Sequence, residues 1–127
     1  MNEVDSRIAA ATEALRQHGA VFAYLHGSRA SGTADAQSDV DIAAYFDEPH
    51  PEAFEVLLPA GVDLLVLNHA PLELAGRVAL RGKLLFERDR DARVVWEATT
   101  RKIYFDELPR LNSAHRDFAE AVLRRGG

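Results

Sequence analysis

Gly27-Ser28 is followed after ten residues by Asp39-Val40-Asp41, and these two segments are the most informative part of the sequence. An apolar run from Ala20 to Leu25 leads into the glycine, and a second run extends from Asp39 to Phe46. Short apolar runs with β-branched and aromatic residues are typical of buried strands. The sequence therefore predicts two strands, the first of which runs straight into a glycine turn.

The second predicted strand carries two aspartates, although aspartate is disfavoured in strands. Asp39 and Asp41 are two residues apart, so they project from the same face with Cα atoms about 6.6 Å apart. Two unpaired carboxylates on a partly buried face would repel one another and lose hydration. A Mg²⁺ ion removes that conflict, because it prefers a few carboxylates together with water and phosphate oxygens.

Asp63 is a candidate third carboxylate, since it begins a further predicted strand. Three carboxylates on adjacent strands can hold two metal ions about 4 Å apart, the geometry of in-line nucleotidyl transfer. In such a site Asp63 would orient or deprotonate the attacking hydroxyl group. An aspartate at the start of a strand is also frequently just exposed, and that alternative stays open.

Gly27-Ser28 lies between a strand and a predicted helical turn. Glycine permits close approach of the backbone, and free amides together with the serine hydroxyl form a favourable phosphate site at such a position. Arg29 either adds a positive charge to this site or lies on the surface.

The remaining chain alternates helical and strand patterns. This order predicts a small α/β (α+β) domain, a mixed four-stranded sheet flanked by helices with a helical C-terminal tail. The further predicted elements are a helix over Val4 to Leu15, a helical turn and loop over Arg29 to Ser38, a short helix over Glu52 to Leu58, a strand over Val62 to Leu67, a helix over Leu72 to Leu80, a strand over Lys83 to Glu87, and helix from Asp91 onwards with a break at Pro109.

Length and composition predict one domain over residues 1–127, with a core over about 20–90 and a tail over about 91–125. The chain has no cysteine, which excludes disulfides and thiolate chemistry and fits the cytoplasm. Its amino terminus is acidic and no run approaches the length of a membrane span, so we expect a soluble, unexported protein. The net charge of −5 argues against loose nucleic-acid binding.

Gly27-Ser28 and Asp39-Val40-Asp41 at this spacing resemble the G-S-x10-D-x-D signature of the DNA polymerase β-like nucleotidyltransferase superfamily, with Asp63 where that family keeps its third aspartate. The strings from His26 to Ala34 and from Ser38 to Ala43 are similar to the minimal nucleotidyltransferase (MNT) family. One departure is Ser31, where that family often has a second arginine.

This resemblance implies an antitoxin that transfers AMP from ATP, with Mg²⁺, to a tyrosine of a partner HEPN ribonuclease toxin. It further implies that Asp39, Asp41 and Asp63 are catalytic and bind metal, and that Gly27, Ser28 and Arg29 bind the nucleotide. Two alternatives remain: an antitoxin that acts by binding alone, and a transferase acting on tRNA or a small molecule. The short chain has little beyond its tail to bind an acceptor, which favours a protein partner.

Other side chains are interpreted as structural. His26 is as readily a packed histidine as a functional one, and Trp96, Tyr104 and Phe105 are predicted to pack rather than to bind a nucleobase. Arg77, Arg81 and Lys83 are candidates for a local basic edge, although solvated side chains are the default interpretation. The remaining histidines show no metal-ligand spacing and are predicted to lie on surfaces or at element ends; they are His18, His50, His69 and His115.

Overall fold

A computed structural model of the chain describes residues 2–27 and 39–126, and within them four strands and three α-helices. Every strand coincides with a predicted one to within one residue at either end. No helix in these described ranges is both long enough and apolar enough to cross a bilayer. The elements follow in the order α1 (Glu3–Gln17), β1 (Ala20–His26), β2 (Val40–Phe46), β3 (Val62–Val66), α2 (Leu72–Arg81), β4 (Lys83–Glu87) and α3 (Arg90–Gly126).

The four strands form one mixed sheet in the order β3-β2-β1-β4. β1 lies antiparallel to both β2 and β4, whereas β2 and β3 are parallel. A parallel pair cannot be joined by a tight hairpin, so a long connection, residues 47–61, returns the chain to the starting end of the sheet. The predicted mixed four-stranded sheet is confirmed.

Helices cover both faces of the sheet, because side chains along each strand alternate between the faces. On one face, Ile42 of β2 packs in a cluster with Leu15 of α1. On the other face, Ala43 of β2 and Phe22 of β1 pack with Val78 of α2. Since Asp41 is two residues from Ala43, its side chain projects from the face that α2 and α3 cover.

The first turns of α3 pack on the aromatic side chains of β1. The Trp96 ring centroid lies 5.5 Å from that of Phe22 and 5.7 Å from that of Tyr24. The Tyr24 hydroxyl donates a 2.5 Å hydrogen bond to Glu97, and burial and this bond raise the pKa of Tyr24. The tyrosine therefore stays protonated as a donor, and the predicted packing role of Trp96 is confirmed.

Farther along, α3 crosses α2 at a glycine. A Cβ on Gly76 would overlap the Tyr104 side chain, which is buried there as predicted. Phe105 is 54% exposed, so the prediction that it packs is wrong. The predicted break at Pro109 is also wrong, because α3 continues through it. Proline removes one helical hydrogen bond, and the affected carbonyl group belongs to exposed Phe105, where water can replace that bond.

The connection between β2 and β3 differs from its prediction. The expected helix over Glu52 to Leu58 is reduced to the 3₁₀ turn Ala53–Glu55, and a second 3₁₀ turn, Leu67–His69, follows β3. Phe54 and Leu57 are 87% and 88% exposed. Val56, however, is buried and Leu58 packs against the same core cluster. Residues two apart point to nearly opposite sides of a helix, so a helix could not pack both, and packing supplies most of the stability of a short helix.

Candidate active site

Two of the predicted metal-binding aspartates lie side by side on neighbouring strands. Asp41 of β2 and Asp63 of β3 are register partners in the parallel pair. Register partners on adjacent strands project from the same face, with Cα atoms about 4.8 Å apart. Asp41 is partly buried and Asp63 is exposed, so the pair lies at the open end of the sheet face that α2 and α3 cover.

Asp39 lies immediately before β2 and is exposed. The observed strand therefore begins one residue later than the predicted one, which began at Asp39. Its Oδ1 atom lies 3.9 Å from the point that a Cβ on Gly61 would occupy, and Arg7 Nη1 lies 2.5 Å from the same point. A guanidinium and a carboxylate therefore converge on Gly61. Because Arg7 is fifty-four residues from Gly61 in the chain, the sequence contained no local signal for this contact.

Gly27 is in contact with the Asp41 carboxylate. Its φ is +72°, in the left-handed region that favours glycine. A Cβ at this position would lie 2.5 Å from Asp41 Oδ2 and 3.4 Å from Asp41 Cγ. The glycine is therefore required twice, once by its backbone conformation and once by the carboxylate that occupies the space of a side chain.

His26 is paired in register with Asp41 across β1 and β2. Burial lowers the pKa of His26 below its usual value of 6.5, against the opposing effect of the Asp41 charge. The imidazole is therefore neutral at physiological pH and half-buried beside the carboxylate. The sequence left its role open between packing and function, and the structure places it on the wall of a cavity next to Gly27.

That cavity has a volume of about 500 Å³. Its size is within the range of small-molecule sites. Arg77 and Arg81 line the cavity from α2. From the sequence, solvated side chains were the default interpretation for both. Arg77 also pairs with Glu73 at 3.0 Å. The other lining residues are His26, Gly27, Leu74, Val78 and Gly82.

The donor set suits a hard divalent cation, because Asp41 and Asp63 are adjacent carboxylates on a partly open face. Across the described residues the three aspartates do not converge to within 4.8 Å, whereas His50, Glu52 and His69 do. The sequence predicted that His50 and His69 lie on surfaces or at element ends, and His69 is exposed at the end of a 3₁₀ turn. The sequence did not predict that the fold brings these two histidines together. Ser28 and Arg29 lie outside the described residues.

Comparison with known proteins identifies the family and agrees with the fold. Residues 10–91 match the family model described as polymerase beta, nucleotidyltransferase. No curated protein matches the chain.

Solved structures with the same fold include a toxin–antitoxin with AMP-PNP, to which the chain is 23% identical with a TM-score of 0.66, over 91% of this chain and 98% of that one. Another is a tri-AMPylated HEPN toxin from Shewanella oneidensis in complex with an MNT antitoxin, at 21% identity and a TM-score of 0.62, over 94% and 98% of the two chains. A putative nucleotidyltransferase from Sulfolobus solfataricus matches at 21% identity and a TM-score of 0.50, over 68% and 85%.

The family match spans most of the chain and includes the glycine turn and all three aspartates. The four strands and the contact between Gly27 and Asp41 lie within the matched residues. The chain belongs to the polymerase beta nucleotidyltransferase family.

Proposed function

We propose that this chain transfers AMP from ATP to a tyrosine hydroxyl of a partner HEPN ribonuclease toxin and so neutralises the toxin. The observation that carries the proposal is the register pairing of Asp41 with Asp63, beside a glycine whose missing side chain leaves room for the Asp41 carboxylate. The similar solved structures add support, since they include a toxin–antitoxin with AMP-PNP and a tri-AMPylated HEPN toxin with its MNT antitoxin.

Asp39, Asp41 and Asp63 are the residues we assign to Mg²⁺. Bound there, Mg²⁺ would neutralise negative charge on the triphosphate and on the departing pyrophosphate. Gly27 lets the carboxylate and the nucleotide phosphates approach the backbone closely. The phosphate contacts of Ser28 and Arg29 stay predictions from the sequence.

Asp63 is the candidate base, because it lies on the edge strand and is exposed to an incoming chain. The tyrosine oxygen attacks the α-phosphorus of ATP and forms the new O–P bond. The bond from the α-phosphorus to the oxygen bridging to the β-phosphate breaks, and pyrophosphate leaves with that oxygen. Asp63 accepts the proton of the hydroxyl group.

We assign the cavity beside Gly27 to the nucleotide. It adjoins the turn that would hold the phosphates, and Arg77 and Arg81 add positive charge along one wall. Guanidinium groups suit phosphate oxygens, and they also stack on planar rings. Neutral His26 can share the cavity without adding a further charge beside Asp41.

The end of α3 provides a candidate surface for the protein partner. Phe118, Val122 and Leu123 are 73%, 50% and 73% exposed. Single exposed apolar residues are ordinary, but three within six residues of one helix form a patch that association with another chain would cover. An exposed apolar patch of this kind supports a protein, rather than a small molecule, as the acceptor. We propose the cytoplasm as the location of the protein, because a chain without cysteine has no need of an oxidising compartment.

The test is to co-purify the chain with a HEPN toxin and supply Mg²⁺ and ATP labelled at the α-phosphate. Label should enter the toxin, with a mass gain of one or more AMP units. Asp41→Asn and Asp63→Asn should each lower the rate about 100-fold or more, because each removes a metal ligand or the base. Asp47→Asn is the matched control, since Asp47 follows the far end of β2 and pairs with Arg88 at 2.7 Å.

Three results would separate the alternatives. An unlabelled toxin that wild type and Asp41→Asn silence equally would mean neutralisation by contact alone. Label in tRNA or in an added small molecule, with none in the toxin, would identify a different acceptor. Equal loss of transfer in Asp47→Asn and Asp41→Asn would contradict the assignment of the site.

A further inference from the structure

A second group of metal-ligating side chains lies at the opposite end of the sheet from the aspartates. One ligand atom from each of His50, Glu52 and His69 lies within 4.8 Å of the others. His50 and Glu52 belong to the connection after β2, and His69 ends the 3₁₀ turn after β3. From Asp41 to the end of β2 at Phe46 the strand rises about 17 Å, so this group is separate from the candidate active site.

The spacing of these ligand atoms fits one ion. His69 Nε2 and Glu52 Oε2 are 3.7 Å apart, and the ring centroids of His50 and His69 are 5.0 Å apart. Two ligands at about 2.0 to 2.2 Å from a tetrahedral zinc ion are about 3.4 Å apart. The side chains of His69 and Glu52 are 50% and 55% exposed, so small rotations of χ angles can close the remaining gap.

His50 is already oriented for this role by its neighbours. Its Nδ1 atom lies 2.9 Å from Glu48 Oε2, and Asn68 Nδ2 donates to Glu48 Oε1 at 3.1 Å. Asn68 is itself fixed to β2, because it donates to the Phe46 carbonyl and accepts from the Phe46 amide, both at 2.9 Å. With the proton on Nδ1 directed to Glu48, His50 Nε2 has its lone pair available for a metal. Carboxylate–histidine pairs of this kind orient ligands in many metal sites.

We propose that His50, Glu52 and His69 bind one divalent transition-metal ion of the zinc class, with water as the fourth ligand. Two imidazoles and one carboxylate suit zinc, whereas Mg²⁺ prefers oxygen ligands alone. The ion connects residues 50–52 to the turn Leu67–His69 and so fixes the connection between β2 and β3 at its start. Without an ion, partly exposed histidine–carboxylate pairs of this kind contribute little.

The test is isothermal titration of the full chain with Zn²⁺, followed by Co²⁺ as a spectroscopic probe, in the presence of excess Mg²⁺. We expect one ion per chain and the visible absorption of tetrahedral Co²⁺. His69→Ala and Glu52→Gln should each raise the Zn²⁺ dissociation constant at least about tenfold, and Glu48→Gln about 10- to 100-fold through the orientation of His50.

His115→Ala is the matched control, because His115 is a similarly exposed histidine that contacts Glu73 instead. It should leave binding unchanged, as should Asp41→Asn in the candidate active site. Circular dichroism verifies that each variant folds, and His69→Ala and Glu52→Gln both replace exposed side chains, so at least one is expected to do so. Zn²⁺ binding that is absent, that survives both of these substitutions, or that is lost in Asp41→Asn would overturn the proposal.

Discussion

Replacing Gly27 by alanine tests the geometry of the candidate active site with a single methyl group. The new Cβ would lie 2.5 Å from Asp41 Oδ2, whereas carbon and oxygen in contact are ordinarily more than 3 Å apart. The 3.4 Å and 3.5 Å distances to Asp41 Cγ and Cβ leave little room on that side. The carboxylate must therefore rotate away from the glycine, which displaces Asp41 Oδ2 by about 1 Å.

Two effects of this substitution can be given magnitudes. A residue with a side chain at φ +72° costs about 1 to 2 kcal/mol relative to glycine. Displacement of a catalytic group by about 1 Å can cost about 100-fold in rate. We therefore expect Gly27→Ala to lose a modest amount of folding stability and most of its AMP transfer.

Gly19→Ala separates the two effects. Gly19 also has a left-handed φ, +85°, but a Cβ there would meet only Asp47 Cβ at 3.9 Å, an ordinary contact. Both variants should show similar losses in urea denaturation, about 1 to 2 kcal/mol. In the labelled-ATP assay Gly19→Ala should keep its rate within about twofold, while Gly27→Ala falls about 100-fold.

Equal transfer rates for the two alanine variants would refute the assignment of Gly27 and Asp41 to one site. A Gly27→Ala chain that loses far more stability than Gly19→Ala would mean that the contact supports the fold. In that case the rate should be compared at a temperature where both variants are fully folded.

Three further substitutions test how α3 is held. Tyr24→Phe removes the donor to Glu97, a nearly buried carboxylate, and should cost about 1.5 to 3 kcal/mol in urea denaturation; no change would mean that the hydrogen bond contributes nothing net. Gly76→Ala gains up to about 1 kcal/mol in helix propensity but overlaps Tyr104, so a net loss of about 1 to 2 kcal/mol in thermal unfolding is expected, and a gain would disprove the close crossing. Pro109→Ala restores a helical hydrogen bond and should slow amide hydrogen exchange in that part of α3, by an amount equivalent to at most about 3 kcal/mol; unchanged exchange would contradict a continuous helix.

The strands were predictable because their signal is local. An apolar run such as Ala20 to Leu25 predicts a strand from its own residues alone, and the observed bounds of all four strands agree with the predicted bounds to within one residue. The prediction of a helix over Glu52 to Leu58 was wrong because it depended on packing rather than on local sequence. Phe54 and Leu57 gain no packing, and Val56 and Leu58 pack on the core from positions two residues apart, which a helix would turn to opposite sides. Whether a short segment becomes helical depends on such packing, which the local sequence does not show.

The surroundings of the aspartates were less predictable than the aspartates themselves. Spacing along the chain identifies Asp39 and Asp41. It does not show that Arg7 of α1 and Asp39 both lie near Gly61, or that Arg81 of α2 lines the cavity. These contacts join residues far apart in sequence. A basic side chain on a helix is expected to be solvated when only the sequence is known. The packing of that helix on the sheet shows whether the side chain instead lines a cavity.

Both proposed metal sites depend on one feature that the sequence did not specify, the parallel register of β2 and β3. The register pairs Asp41 with Asp63 at the start of these strands and brings residues 50–52 near His69 beyond their ends. A shift by one residue would turn Asp63 to the other face of the sheet, because side chains alternate with period two. His50 and His69 are nineteen residues apart and follow no metal-ligand spacing along the chain, so only strand pairing could place them together. The same shift would move His69 relative to His50, so the two sites constrain each other through the sheet.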